Sequence, residues 1–168
     1  MVSIKGYSLK SVNNFLGHEM EPCCQGFLCY QGEKIAFISD DSHGGNINVC
    51  AMGKSGENAV EIAAQTYNSY VDSDEYIFYY PEEFKNIKVD VSNLFDDLIL
   101  LSTLKKAYDR AKKKKAIGIA YGAGANVFDY IILPIMPGWQ KEQINAYLKG
   151  KGHKRIVYFE KDEDFNIK

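Results

Sequence analysis

The sequence predicts an α+β fold: a mostly antiparallel sheet, made of an N-terminal meander and a C-terminal hairpin, packed against two main helices. Three patterns predict it. Runs of aromatic and branched residues, broken by glycine-containing turns, fill the region from Val2 to Met52. Stretches beginning near Gly56 and after Ser92 place apolar residues every three or four positions. Two more strand-like runs, Ala116 to Tyr121 and Val127 to Leu133, flank the small residues Gly122-Ala123-Gly124-Ala125-Asn126.

Val2 to Leu9 is the first expected strand, ended by the polar Ser11-Val12-Asn13-Asn14. A hairpin runs from Gly26 to Ile38 through Gln31-Gly32, where glycine supplies the positive φ that a tight turn needs. Asn46 to Met52 alternates polar and apolar residues and adds a further antiparallel strand. Ser55 caps a helix from Gly56, with Val60, Ala63, Tyr67 and Tyr70 on one apolar face about four turns long. Val71 to Glu75 closes it as a loop, and Tyr76 to Tyr80 is a short strand or extended segment stopped by Pro81.

Ser92 is the expected cap of a long helix whose buried face carries Leu94, Leu98, Leu101, Leu104 or Lys105, Tyr108 and Ala111. Asp96 and Asp97 near its start and Lys112 to Lys115 at its end suit the helix dipole. Pro137-Gly138 opens a short helix carrying Ile144, Tyr147 and Leu148. Lys154 to Phe159 is a closing strand, and the acidic tail after it is expected to fray.

The 168 residues are 46% hydrophobic, with 12 tyrosines and nine phenylalanines. That is a single domain spanning 1–168, long enough to bury about two-thirds of its unfolded surface. A net charge of −2 supplies no global field toward DNA or an acidic membrane. Four cysteines, two of them adjacent at Cys23-Cys24, are expected as reduced thiols. Lys5 and Lys10 interrupt any apolar leader, and no run reaches the roughly 20 residues of a membrane span. A soluble cytoplasmic protein is expected.

Chemistry-bearing residues concentrate in the first third. Asp40-Asp41-Ser42-His43-Gly44-Gly45 offers carboxylates and an imidazole suited to a divalent cation. Its glycines let backbone N–H groups approach a phosphate or carboxylate. The same residues also make an ordinary polar loop whose side chains satisfy local backbone donors. Gly17, His18 and Glu19, with Cys23 and Cys24, form a second cluster, but no second Cys-x-x-Cys pair completes a zinc site. Cys29 and Cys50 lie in strand patterns and are expected in the core.

Gly122 to Asn126 lacks the GxxxxGK[ST] pattern and leads into no helix, so a hairpin tip is expected there instead of a phosphate cradle. Lys112 to Lys115 and Lys149, Lys151, Lys154 and Arg155 form two basic clusters. Tyr67, Tyr70, Tyr76, Tyr79 and Tyr80 add aromatic rings that together with them suit base stacking and phosphate neutralisation. Helical periodicity claims Tyr67 and Tyr70 for the core, and the acidic balance favours a nucleotide-sized anion over a polymer.

The order Gly17-His18-Glu19, Gly26-Phe27, an aromatic strand, Gly32-Glu33-Lys34-Ile35-Ala36, then Asp40-Asp41-Ser42-His43-Gly44-Gly45 resembles small uncharacterised phage and prophage accessory proteins. Those read approximately G-x-E-G-x-G-F, a strand, D-G-K-K-V-A, a strand, then D-D-G-x-G-G. Leu94 to Lys115 and Tyr130 to Leu148 are similar to their later half. The chain departs from the pattern at Glu21-Pro22-Cys23-Cys24-Gln25, where the family has a shorter glycine-centred link, and at Ser42 and His43.

The resemblance implies a mobile-element origin. The expected role is a non-enzymatic viral binding protein in a bacterial host cytoplasm, an anti-defence inhibitor that occupies a host or defence protein or sequesters a nucleotide-like ligand. The residues expected to bind are Gly17, Glu19, Lys34, Asp40, Asp41, His43, Gly44, Gly45 and Lys54. No catalytic residue, metal, cofactor or membrane is expected, and a homodimer through an edge strand such as Lys154 to Phe159 stays open. One alternative is a small enzyme using Cys23 or Cys24 with His18 or His43, or a metal held by His18, Glu19, Asp40, Asp41 and His43. A nucleic-acid-binding accessory protein is the other.

Overall fold

The computed structural model describes residues 2–16, 22–39, 47–79, 88–124, 129–133 and 141–168, with only the backbone of residues 22 and 129–133. The strands are β1 (Ser3–Ile4), β2 (Tyr7–Leu16), β3 (Pro22–Tyr30), β4 (Glu33–Ser39), β5 (Asn48–Ala51), β6 (Gly118–Ala123), β7 (Asp129–Leu133), β8 (Arg155–Phe159) and β9 (Asn166–Ile167). The helices are α1 (Gly56–Val71), α2 (Val91–Lys113) and α3 (Lys141–Gly150). The fold is α+β, as expected, with strand orders β5-β4-β3-β2-β1-β9 and β7-β6-β8. All pairings are antiparallel except β1 with β9. The chain separates into two compact units, Met1–Tyr70 with Lys88–Ile99 and Asn166–Lys168, and Val71–Ile87 with Leu100–Phe165.

In the first unit the expected strand Val2 to Leu9 is broken. Lys5 and Gly6 both take positive φ and reverse the chain between β1 and β2. Ser11 to Asn14 do not end β2. Lys10 opposes Phe27 and Asn13 opposes Gln25, so one extra residue bulges where Ser11 has φ 52°. These polar side chains point into solvent, and pairing with β3 holds their backbone. The Gln31-Gly32 turn is as expected, with φ values of 48° and 92° linking β3 to β4.

One face of this sheet is apolar. Leu9, Leu28, Ala36 and Ala51 line up across β2 to β5, beside the paired Tyr7 and Tyr30. Helix α1 covers that face so closely that a side chain at Gly56 would come within 3.1 Å of Ala51. Ala63, Tyr67 and Tyr70 are buried beneath it, as their spacing predicts. Tyr67 donates to Asp97 at 2.5 Å, and the Asn68 amide bonds both the N–H and the C=O of Val89. The cap of α2 is Asp90 rather than Ser92. Asp90 Oδ1 accepts from the Ser92 N–H at 2.8 Å, while Asn93 Oδ1 accepts from the Asp90 N–H at 3.0 Å.

In the second unit Leu101, Leu104, Tyr108 and Ala111 are buried along α2. The helix ends with Lys115 at φ 62°, as Lys115 N–H bonds Lys112 C=O and Ala116 N–H bonds Ala111 C=O. Helix α3 packs Ile144 and Leu148 on Ala120, flanked by Ile156 and Tyr158, and leaves Tyr147 exposed. Tyr76 and Phe78 join neither sheet. Their buried rings pack edge-on, with Phe78 also against Tyr121. Tyr80 and Pro81 lie outside the described residues, as do Pro137 and Gly138.

The acidic tail does not fray. Asp164 Oδ2 accepts the N–H groups of Glu160 and Lys161, closing a 3-10 turn at Asp162–Phe165. Phe165 is fully buried, stacked on Phe159 at 4.5 Å and near Tyr108 at 5.2 Å. In the first unit Asn166 and Ile167 extend the sheet as β9.

Candidate functional site

Of the nine residues expected to bind, Gly17, Glu19, Asp40, Asp41, His43, Gly44 and Gly45 lie outside the described residues. The strand ends that bracket them are described, and they lie together. Leu16 opposes Pro22, Gln25 opposes Ser39, and Ser39 opposes Asn48. Leu16, Pro22, Ser39 and Asn48 therefore all lie toward one end of the six-stranded sheet. Lys34 and Lys54 sit toward the other end. Lys34 opposes Cys29 beside the Gln31-Gly32 turn. It is about 16 Å along β4 from Ser39 at the usual rise per residue.

Lys54 lines an open cleft of about 460 Å³ between β5 and α1, with Ala51, Gly53, Ser55, Glu57 and Asn58. Gly53 turns the chain with φ 77°, and Ser55 C=O accepts the first helical bond from Ala59 N–H, the cap its position predicts. Glu57 in the first turn sits at the positive helix end and shares the cleft with Lys54.

A second surface follows from strand register. On the face opposite α1, side chains align as Lys10–Phe27–Phe37–Cys50 across β2 to β5. The neighbouring rows are Ser8–Cys29–Lys34 and Asn13–Gln25–Ser39–Asn48. These three rows hold two lysines and no carboxylate. Phe27 and Phe37 are partly exposed, with ring centroids 5.2 Å apart. Lys34 Nζ lies 3.5 Å from the Phe27 ring centroid, and Lys10 Nζ donates to Gly32 C=O at 2.8 Å. Sequence reasoning picked out Lys34 but missed this row. Symmetric pairing about the turn would set Phe27 opposite Ala36, and the register shift between Leu28 and Cys29, invisible in the sequence, is what sets it opposite Phe37.

All four cysteines are free thiols. Cys23 and Cys29 are buried, and burial pushes the Cys29 thiol up, partly offset by the charges of Lys10 and Lys34. Cys50 is exposed, contrary to its expected core position, because β5 is the outermost strand and all four of its residues keep solvent exposure. Among the described residues, no three His, Cys, Asp or Glu side chains are grouped to hold a metal ion. His18, Glu19, Asp40, Asp41 and His43 fall outside them.

Tyr67, Tyr70 and Tyr76 are buried, which removes three of the rings that the basic clusters would need for base stacking. Gly122 and Ala123 belong to β6, not to a hairpin tip. A side chain at Gly122 would come within 2.6 Å of the His153 ring, so the glycine makes room for that imidazole. Among the described residues β8 pairs on one side only, an edge of its sheet as expected. No helix there is long and apolar enough to cross a membrane. No family model, curated protein or solved structure matches the chain.

Proposed function

We propose that this chain is a non-enzymatic binding protein of phage or prophage type. It acts in a bacterial host cytoplasm by occupying a host or defence protein or by sequestering a small nucleotide-like ligand. The observation that carries this reading is the convergence of strand ends at Leu16, Pro22, Ser39 and Asn48. These described residues are the chain neighbours of the Gly17–Glu19 and Asp40–Gly45 motifs, and they lie toward one end of a paired sheet.

The test is affinity capture from bacterial lysate together with a nucleotide-binding screen. The wild-type chain is expected to retain a discrete partner or ligand, and the Asp40→Asn, Asp41→Asn pair to lose it. Retention of nothing by either method, or full retention by the double variant, would overturn the proposal.

A further inference from the structure

We propose that the sheet face opposite α1 is a nucleotide platform, with a base stacked on Phe37 beside Phe27 and its phosphate held by Lys34 and Lys10. This rests on the reading of the chain as a binding protein, and gives that reading a ligand class and a surface. Flat aromatic rings on adjacent strands offer a π face to any base, and stacking of this kind tolerates sequence. Phe27 and Phe37 are a direct cross-strand pair and both remain partly exposed.

Charge supplies the second half of the argument. Lys10 and Lys34 flank the rings in rows without a carboxylate, and neither joins an ion pair among the described residues. Lys34 parks its ammonium over the Phe27 ring, a contact of modest strength at an exposed site that a phosphate outcompetes. When it swings to the anion it uncovers the Phe27 ring beside the stacked base. Amides of Asn13, Gln25 and Asn48 fill the adjoining row with donors and acceptors suited to a base edge.

Size and charge favour a free nucleotide. Four strands span about 14 Å, the reach of one base, its sugar and a phosphate or two. Two lysines on a chain of net charge −2 suit that ligand better than a polyanion.

The experiment is calorimetric titration with the four ribonucleoside monophosphates and with ADP and GDP, with decamers of dT and rU as comparison ligands. Wild type, Phe37→Leu and Lys34→Gln are tested, with circular dichroism and urea melts to confirm folding. At least one free nucleotide is expected to bind saturably. Phe37→Leu keeps apolar bulk but loses the ring, and is expected to weaken binding about tenfold or more. The exposed Lys34→Gln weakens it and flattens its salt dependence.

The inference fails if no nucleotide binds, if both variants bind as wild type does, or if decamers bind more tightly than any free nucleotide. Lysate capture separates the two proposals. A partner still retained by Phe37→Leu and Lys34→Gln, with no nucleotide bound, sinks the platform and leaves the binding-protein reading standing. An empty capture with no nucleotide bound sinks both.

Discussion

On β3, Leu28 is fully buried while its neighbour Phe27 is partly exposed, and on β4 the same contrast holds between Ala36 and Phe37. Leu28 pairs with Ala36 and Phe27 with Phe37, so the contrast is between two cross-strand pairs on opposite faces of one sheet. At these central positions the phenylalanine rings face away from α1 and the smaller Leu28 and Ala36 face toward it. The close approach at the start of α1 shows why: at Gly56 a side chain would come within 3.1 Å of the Ala51 backbone, so the residue there has to be small. Burial at these positions follows what covers each side chain, not how apolar it is.

The largest expected effect tests that asymmetry directly. Leu28→Ala removes a side chain with no exposure and is expected to cost about 3 kcal/mol, within the usual range for buried leucines. Phe37→Leu on the other face is expected to cost under about 1.5 kcal/mol. Urea unfolding measures both, and equal losses would mean that the two faces are equally buried.

The next effect concerns the turn that sets which residue falls on which face. Gly32 has φ 92°, so Gly32→Ala forces a side chain into the left-handed region and is expected to cost about 1–2 kcal/mol. Gln31 at φ 48° is a non-glycine in that region, and Gln31→Asn is expected to gain about 0.5 kcal/mol because asparagine tolerates it better. Urea midpoints that move in the opposite order would show that the hairpin is set by pairing along the strands and not by its turn.

Features fixed by neighbours in sequence were legible, and features fixed by distant partners were not. The Gln31-Gly32 turn, the α1 face of Ala63, Tyr67 and Tyr70, and the leucine stripe of α2 are local patterns, and all three are present. The Ser11 bulge is invisible without β3 opposite it. Phe165 looks like part of a charged tail until Phe159 and Tyr108 are beside it. Ser92 and Asp90 are both good caps, and the reciprocal bond from Asn93 decides between them. Cys50 has strand alternation, but its place on the outermost strand comes only from topology. At the candidate site, Lys34 was legible as a cation near a turn. Its alignment with Lys10, Phe27 and Phe37 required the register of three strands, including the shift between Leu28 and Cys29.

A contrast between lysines gives the third prediction. Lys34 rests on a ring, whereas Lys105 in the second unit is fixed by Asp109 at 2.5 Å and Asp162 at 3.0 Å. Burial pulls the Lys105 pKa down, but hydrogen bonds and charge from Asp109 and Asp162 outweigh it and hold the ammonium above its usual 10.5. A group whose pKa is raised by folding contributes fully below its unfolded value. That contribution is lost as pH rises through the folded value. Burial also pushes the Tyr108 phenol above its usual 10.0, which works in the same direction. Stability is therefore expected to fall above about pH 10. Lys105→Met is expected to reduce that alkaline decline in urea midpoints measured from pH 8 to 11, and an unchanged slope would remove Lys105 from the account.

The smallest stability effect bears on the exposed face again. Cys50→Ser is expected to leave stability within about 0.5 kcal/mol, because an exposed thiol has no packing to lose. Labelling rates of the native protein then sharpen the comparison between Cys50 and Cys29, which lie in neighbouring rows of that face. Cys50 is open to a maleimide, whereas Cys29 is shut off from solvent and carries a smaller thiolate fraction. Cys50 is therefore expected to label first and Cys29 only as the sheet opens. Lys34→Gln is expected to leave Cys29 labelling unchanged at a given opening rate, because the charge that pulls the thiol down acts only while the sheet is closed. Faster labelling in that variant would mean instead that the Lys34 side chain acts as the lid over Cys29, and that its departure, whether by mutation or toward an anion, unveils the row beneath it.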